Sequence, residues 1–231
     1  MLNVVRYNWP KYVTALLAVA AGLAVPWWPA RLAAALLALG VAAGLAATWW
    51  VYDVSPLYRW TWAAGLLPAA PEAYLVVSTG LDEISPALAR LYPRAAPTVV
   101  DLFDPAVGER SIRRARAHVP PPPGTVAGRP EALPVPDGSQ DAVFVAFAAH
   151  ELRQRPQRQA VFGELARVLR PGGRIVLVEH CRDAANTAVY GPGAWHFFPR
   201  GEWLRLAAGA GLRRVAETRM TPFVRALVLG R

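Results

Sequence analysis

His150, His180 and His196 are the side chains best suited to move a proton near neutral pH, and each interrupts an apolar stretch: "AAHEL", "VEHCRD" and "GAWHFF". His150 with Glu151 beside it offers a base and a carboxylate to orient it, the pairing that general acid–base catalysis asks for. His196 is a second catalytic candidate, and His180 stands with Arg182 and Asp183. For each, the competing reading is a structural hydrogen bond at a strand end. Three histidines with Glu151 or Asp183 are also metal-ligand types, but no tight spacing ties them together, so no metal is assigned. Cys181 is the only cysteine, which excludes an internal disulfide and a cysteine metal cluster and fits a reducing compartment.

A second stretch, "AYLVVSTGLDEIS" (73–85), reads as a buried strand, a glycine turn and a helix, the place where many α/β enzymes hold a nucleotide-like cofactor. Gly80 supplies the one position where the backbone can take a positive φ or touch a ligand. Asp82 either orients a cofactor's amino group or caps the helix beginning near Ser85.

These residues need a scaffold, and the chain after Pro71 has the pattern of one: short apolar strands alternating with helices, as in a parallel sheet covered on both faces. Strands are expected at 74–77, 98–102, 142–147, 175–178, 214–218 and 223–229. Helices are expected at 85–92, 109–118, 156–169 and 201–210, the third ending at "RPGG", where Pro171 and two glycines forbid continuation.

In that frame "ALPVPDGSQDAVFVAFAAHEL", "ELARVLRPGGRIVLVEH" and "FFPRGEWLRLAAGAGL" resemble the class I S-adenosylmethionine-dependent methyltransferases, in particular the subgroup of quinone C-methyltransferases, over about 72–231. The resemblance implies an α/β fold: a seven-stranded, mostly parallel Rossmann-like sheet with helices on both faces and S-adenosylmethionine over the carboxyl ends of its first strands. It puts Ser78, Thr79, Gly80 and Asp82 in the cofactor loop, and Asp101 at the acidic position that holds the ribose hydroxyls, with Leu102 next to it. Asp104, a turn acid before Pro105, is the alternative to Asp101. Gly128 and Arg129 fall where adenine is faced, and Ala148, His150 and Glu151 follow the fourth strand, where donor meets acceptor. Val76, Asp82 and Arg129 depart from the family pattern, and a non-catalytic binding module at the membrane would show such departures.

The first third is different. Tyr12 to Trp28 and Leu32 to Tyr52 carry no charged side chain, and roughly 17 to 25 apolar residues cross a hydrocarbon core. With "PWWPAR" between them, residues 1–53 read as a tail and a two-helix transmembrane hairpin, with Trp27, Trp28, Trp49, Trp50 and Tyr52 at its ends. The alternative is a cleaved signal peptide over residues 1 to 25. Gly40 and Gly44 suit close helix packing, inside the hairpin or in a homodimer seam. Residues 54–71 read as an aromatic linker, either at headgroup depth or packed on the domain. The formal charge of +9 rests on arginine, and its distribution places the catalytic domain on the cytoplasmic side of an inner or plasma membrane, with the bilayer as a partner. The arginines are scattered and not interleaved with aromatics, which speaks against nucleic acid. Tyr190, Trp195, Phe197 and Phe198 suit a lipophilic acceptor: a quinone, a phenolic lipid or a headgroup.

Overall fold

In a computed structural model, which describes residues 2–231, two long helices precede a seven-stranded sheet. Helix α1 (Leu2–Ala24) packs antiparallel on α2 (Trp28–Trp49). The turn between them has Pro29 in the first turn of α2, where its missing N–H costs nothing. Gly22 makes the close approach: a Cβ there would lie 2.8 Å from that of Ala34. Gly44 serves a different contact, its backbone facing the Val189 carbonyl, and Gly40 is open.

The expected pair of membrane-crossing helices is corrected here. Among the described residues only Trp28–Arg59 is long and apolar enough to cross. The first uncharged run extends to Trp28, but α1 ends at Ala24, so its uncharged helical part from Tyr12 is about 20 Å long, short of a core of about 30 Å. For the 54–71 segment the structure takes the second of the two readings. Leu57, Trp60 and Ala63 are buried, and Trp60 meets Phe144 edge to face, so the linker packs on the sheet.

The strands are β1 (Ala73–Ser78), β2 (Ala96–Asp101), β3 (Val126–Ala127), β4 (Gln140–Ala146), β5 (Leu169–His180), β6 (Arg213–Thr221) and β7 (Val224–Gly230). Their order is β3-β2-β1-β4-β5-β7-β6, with β7 antiparallel to both its neighbours and the pairs from β3 to β5 parallel. Helices α3 (Ser85–Leu91), α4 (Arg110–His118), α5 (Arg155–Val168), α6 (Ala184–Tyr190) and α7 (Arg200–Gly209) complete the chain. Strand β3, only two residues long, and α6 lack the apolar periodicity that revealed the other elements.

Strand alternation divides the interior. Val143, Val145, Ile175 and Leu177 face the layer containing Phe162, Leu165 and Trp203 of α5 and α7. Tyr74, Val76, Phe144, Val176 and Val178 face Leu57, Trp60 and Leu88. Buried on both faces, β1, β4 and β5 read as near-continuous apolar runs. The reversal of strand order falls between β1 and β4, so the crevice of the sheet opens at their carboxyl ends.

Candidate functional site

A cavity of about 910 Å³ lies in that crevice. Its floor is the turn after β1, with Ser78, Thr79 and Asp82, together with His150 and Glu151 from the turn after β4. His196 and Phe197 form a wall. The roof is the hairpin, through Tyr7, Lys11 and Tyr12 of α1 and Gly40 and Gly44 of α2. Contacts bind roof to floor: Arg114 Nε donates to the Tyr7 carbonyl at 2.7 Å, and the Tyr52 hydroxyl lies 3.0 Å from His180 Nε2.

The cofactor loop is held by carboxylates. Gly80 has φ +94°, and a Cβ there would lie 2.4 Å from Ile112 Cγ2, so both conformation and space demand glycine. Asp82 does the capping that sequence left open: its Oδ1 accepts from Ile84 N at 2.9 Å and Ser85 N at 3.0 Å. Its Oδ2 is buried without a partner among the described residues, leaving an acceptor unused at a residue that lines the cavity.

Asp101 is engaged within the protein. Its Oδ1 accepts from Gly80 N at 2.7 Å and Phe103 N at 3.1 Å, and its Oδ2 is paired with Arg116. The carboxylate therefore orders the Gly80 loop from beneath, and both its oxygens are engaged within the protein. Asp104 and Leu102 instead line a second cavity of about 350 Å³, together with Gly128 and Arg129. Ala148 lines neither cavity; it is buried, and its carbonyl accepts the Thr79 hydroxyl at 3.0 Å.

His150, Glu151 and His196 come together as the sequence anticipates. His150 Nε2 lies 3.3 Å and His196 Nε2 3.5 Å from Glu151 Oε1. Arg153 ties the two loops by donating to the carbonyls of His150 (2.9 Å) and His196 (2.8 Å). His150 is not the unperturbed imidazole that sequence suggests. Its Nδ1 lies 2.7 Å from Glu179 Oε2 and its Nε2 faces Glu151, so each nitrogen has a carboxylate. Burial alone would lower its pKa, but Glu179 and then Glu151 outweigh burial and push it up to about 10. Burial likewise opposes the charge of Glu151, yet hydrogen bonding from His150 and His196 pulls its pKa down to about 2. His180 goes the other way. Burial and the neighbouring charge of His150 lower it to about 4, and its Nδ1 faces the Phe223 carbonyl at 3.0 Å.

Sequence reasoning missed Glu179, Glu109 and Arg153 as members of the cluster. Glu179 was visible as a lone acid ending the apolar run "RIVLVEH", and a buried strand does not carry an acid without a partner. Nothing local marks Glu109, which reaches His196 Nδ1 at 3.4 Å from the start of α4.

Known proteins similar to this chain are methyltransferases. Residues 75–177 match the family described as the methyltransferase domain. A ubiquinone/menaquinone biosynthesis C-methyltransferase of Syntrophotalea carbinolica is 28% identical over 197 residues, covering 71% of this chain and 78% of that protein. The enzyme so named in Methylobacterium nodulans is 37% identical over 128 residues, 51% of this chain, and the chain spans 48% of its length. Among solved structures, a SAM-dependent methyltransferase from Aquifex aeolicus shares the fold at a TM-score of 0.51 and 20% identity, over 68% of this chain and 81% of that one.

Proposed function

We propose, from the premise that the chain is an S-adenosylmethionine-dependent methyltransferase, that it methylates a lipophilic acceptor taken from a bilayer against which its hairpin lies. The observation that carries this reading is the double character of the hairpin. Its inner face roofs the cavity above His150, Glu151 and His196, while Trp9, Val13, Leu16 and Leu17 on the other side of α1 are exposed. An apolar face of that extent is unfavourable in water and at home in lipid. Beside it α4 exposes Arg110 and Arg113, which anionic headgroups would attract. An acceptor with an apolar tail could then pass from lipid to cavity beneath the roof without crossing water. The relatives named for quinone biosynthesis favour a quinol or phenol ring as the acceptor; a lipid headgroup is the other member of the class.

The residues fit the cofactor at its amino-acid end. Asp82 Oδ2, without a partner among the described residues, complements an ammonium group, and the Gly80 turn sets Thr79 and Asp82 at the cavity. Leu102 and Arg129 would face adenine in the smaller cavity. When bound, S-adenosylmethionine supplies an electrophilic methyl group. The chain's own contribution is to orient the acceptor ring on Phe197 and His196, hold a polar group of it near the Glu151 cluster, and exclude water under the hairpin.

Two measurements test this. With methyl-labelled cofactor and native membrane extract, the label is expected in an organic-soluble product; label confined to water-soluble products would overturn the lipophilic acceptor. Asp101→Ala removes the acceptor that orders Gly80 N and is expected to weaken cofactor binding by about 1 to 3 kcal/mol in calorimetry. Unchanged affinity would show that this loop does not hold the cofactor.

A further inference from the structure

We propose that His150, Glu151 and His196 form a binding site for one divalent transition-metal ion inside the cavity. Their ligand atoms lie within 4.8 Å of one another. The two histidine-to-carboxylate separations, 3.3 and 3.5 Å, lie at the long end of hydrogen bonding and match the edge of about 3.4 Å of a tetrahedron with metal–ligand bonds near 2.1 Å. Two further observations point to an ion. Glu151 Oε2 is buried with no partner among the described residues, on a side chain only 8% exposed. Each histidine also has a carboxylate at its other nitrogen: Glu179 at 2.7 Å from His150 Nδ1 and Glu109 at 3.4 Å from His196 Nδ1. Carboxylate–histidine pairs of this kind orient imidazole ligands around a metal and raise their basicity.

Charge agrees. Glu109, Glu151 and Glu179 bring three negative charges to two imidazoles, against one positive charge from Arg153, an excess that a dication offsets. On binding, the metal takes the His150 Nε2 lone pair, and any proton there leaves to solvent. A donor set of two imidazoles and one carboxylate suits zinc, ferrous iron, cobalt or nickel and disfavours magnesium and calcium, which take oxygen ligands. All three ligands line the cavity assigned to the acceptor. A hydroxyl or carbonyl oxygen of the acceptor could ligate there; this clause alone rests on the methyltransferase reading.

The test uses untagged full-length protein, stripped with chelator, without cofactor or acceptor. Titration with cobalt(II), followed by visible absorbance, and with zinc, followed by calorimetry, should show one equivalent bound with micromolar or tighter affinity. Glu151→Gln and His196→Ala, checked by circular dichroism, should each weaken binding at least tenfold. Glu179→Gln and Glu109→Gln should weaken it by about tenfold to a hundredfold, and His118→Ala, outside the cluster, should leave it unchanged. Absence of cobalt bands and of zinc heat at millimolar metal in folded protein would overturn the site. So would undiminished binding in Glu151→Gln and His196→Ala, or an equal loss in His118→Ala. Cofactor binding, measured on the same samples, reports separately on the methyltransferase reading: a protein that binds cofactor but no metal refutes only this site.

Discussion

His150 and His180 sit at the carboxyl ends of neighbouring strands and are equally buried, 7% and 4% exposed, yet the chain treats them oppositely. His150 lies between Glu179 and Glu151 and is pushed up to about 10; His180 lies among the Tyr52 hydroxyl, the Phe223 carbonyl and the face of Phe197, and is pushed down to about 4. Glu179 and His180 are consecutive on β5 and so point to opposite faces of the sheet, which is why the acid serves the distant histidine and not its neighbour. Burial, common to both rings, lowers the pKa of both; the outcome is decided by whether a carboxylate from another element arrives to oppose it. The polar, cavity-facing cluster is therefore built to hold charge, and the aromatic one to exclude it.

The largest way to break this contrast is Glu179→Gln, which keeps the shape and removes the charge opposite His150. Leaving a buried cation with one partner fewer is expected to cost about 3 to 5 kcal/mol in denaturant unfolding. A loss under about 1 kcal/mol would mean that the pair does not hold His150 in place.

The second effect is acid sensitivity from His180. In the unfolded chain its imidazole binds a proton below a pKa of about 6.5, whereas in the folded chain it does so only near 4. The unfolded state therefore takes up more protons in that window, and stability is lost as pH falls from about 6.5 towards 4, by roughly 3 kcal/mol in all. His180→Asn should remove that part of the slope; identical pH profiles for variant and parent would show that the ring is not held neutral. The smallest effect sharpens the contrast. Tyr52→Phe deletes one donor to His180 Nε2 and should cost about 1 kcal/mol and raise the imidazole pKa seen by NMR. No change in that titration would remove the hydroxyl from the account.

Apolar runs, turn residues and the "LPVPDG" and "LRPGG" motifs were enough to place most strands within a residue or two, because parallel strands buried on both faces leave a strong local signal. The exceptions are β3, which was not expected, β6, which runs three residues further than expected, and β5, whose pairing begins at Leu169, opposite Gln140, before the glycines expected to precede it. His150 and Glu151 could be placed at the sheet edge from a strand end, whereas His196, in the loop before the last helix, was tied to them by the resemblance. Two helices in a hairpin, each with a long uncharged run, were equally visible.

Sequence by itself, then, determined the elements other than β3 and α6, the order of the chemistry-bearing residues along the chain, and the need for glycine at residue 80. Tertiary structure alone decided three further things. The hairpin folds back as the roof of the cavity, Asp101 turns inward to Arg116 and Gly80 N, and Glu109 and Glu179 arrive from distant elements beside the two histidines. The physical reason is range: turns and alternation are set by neighbours along the chain, whereas the charge of a buried ring depends on groups that only the packed sheet and its covering helices bring within about 4 Å.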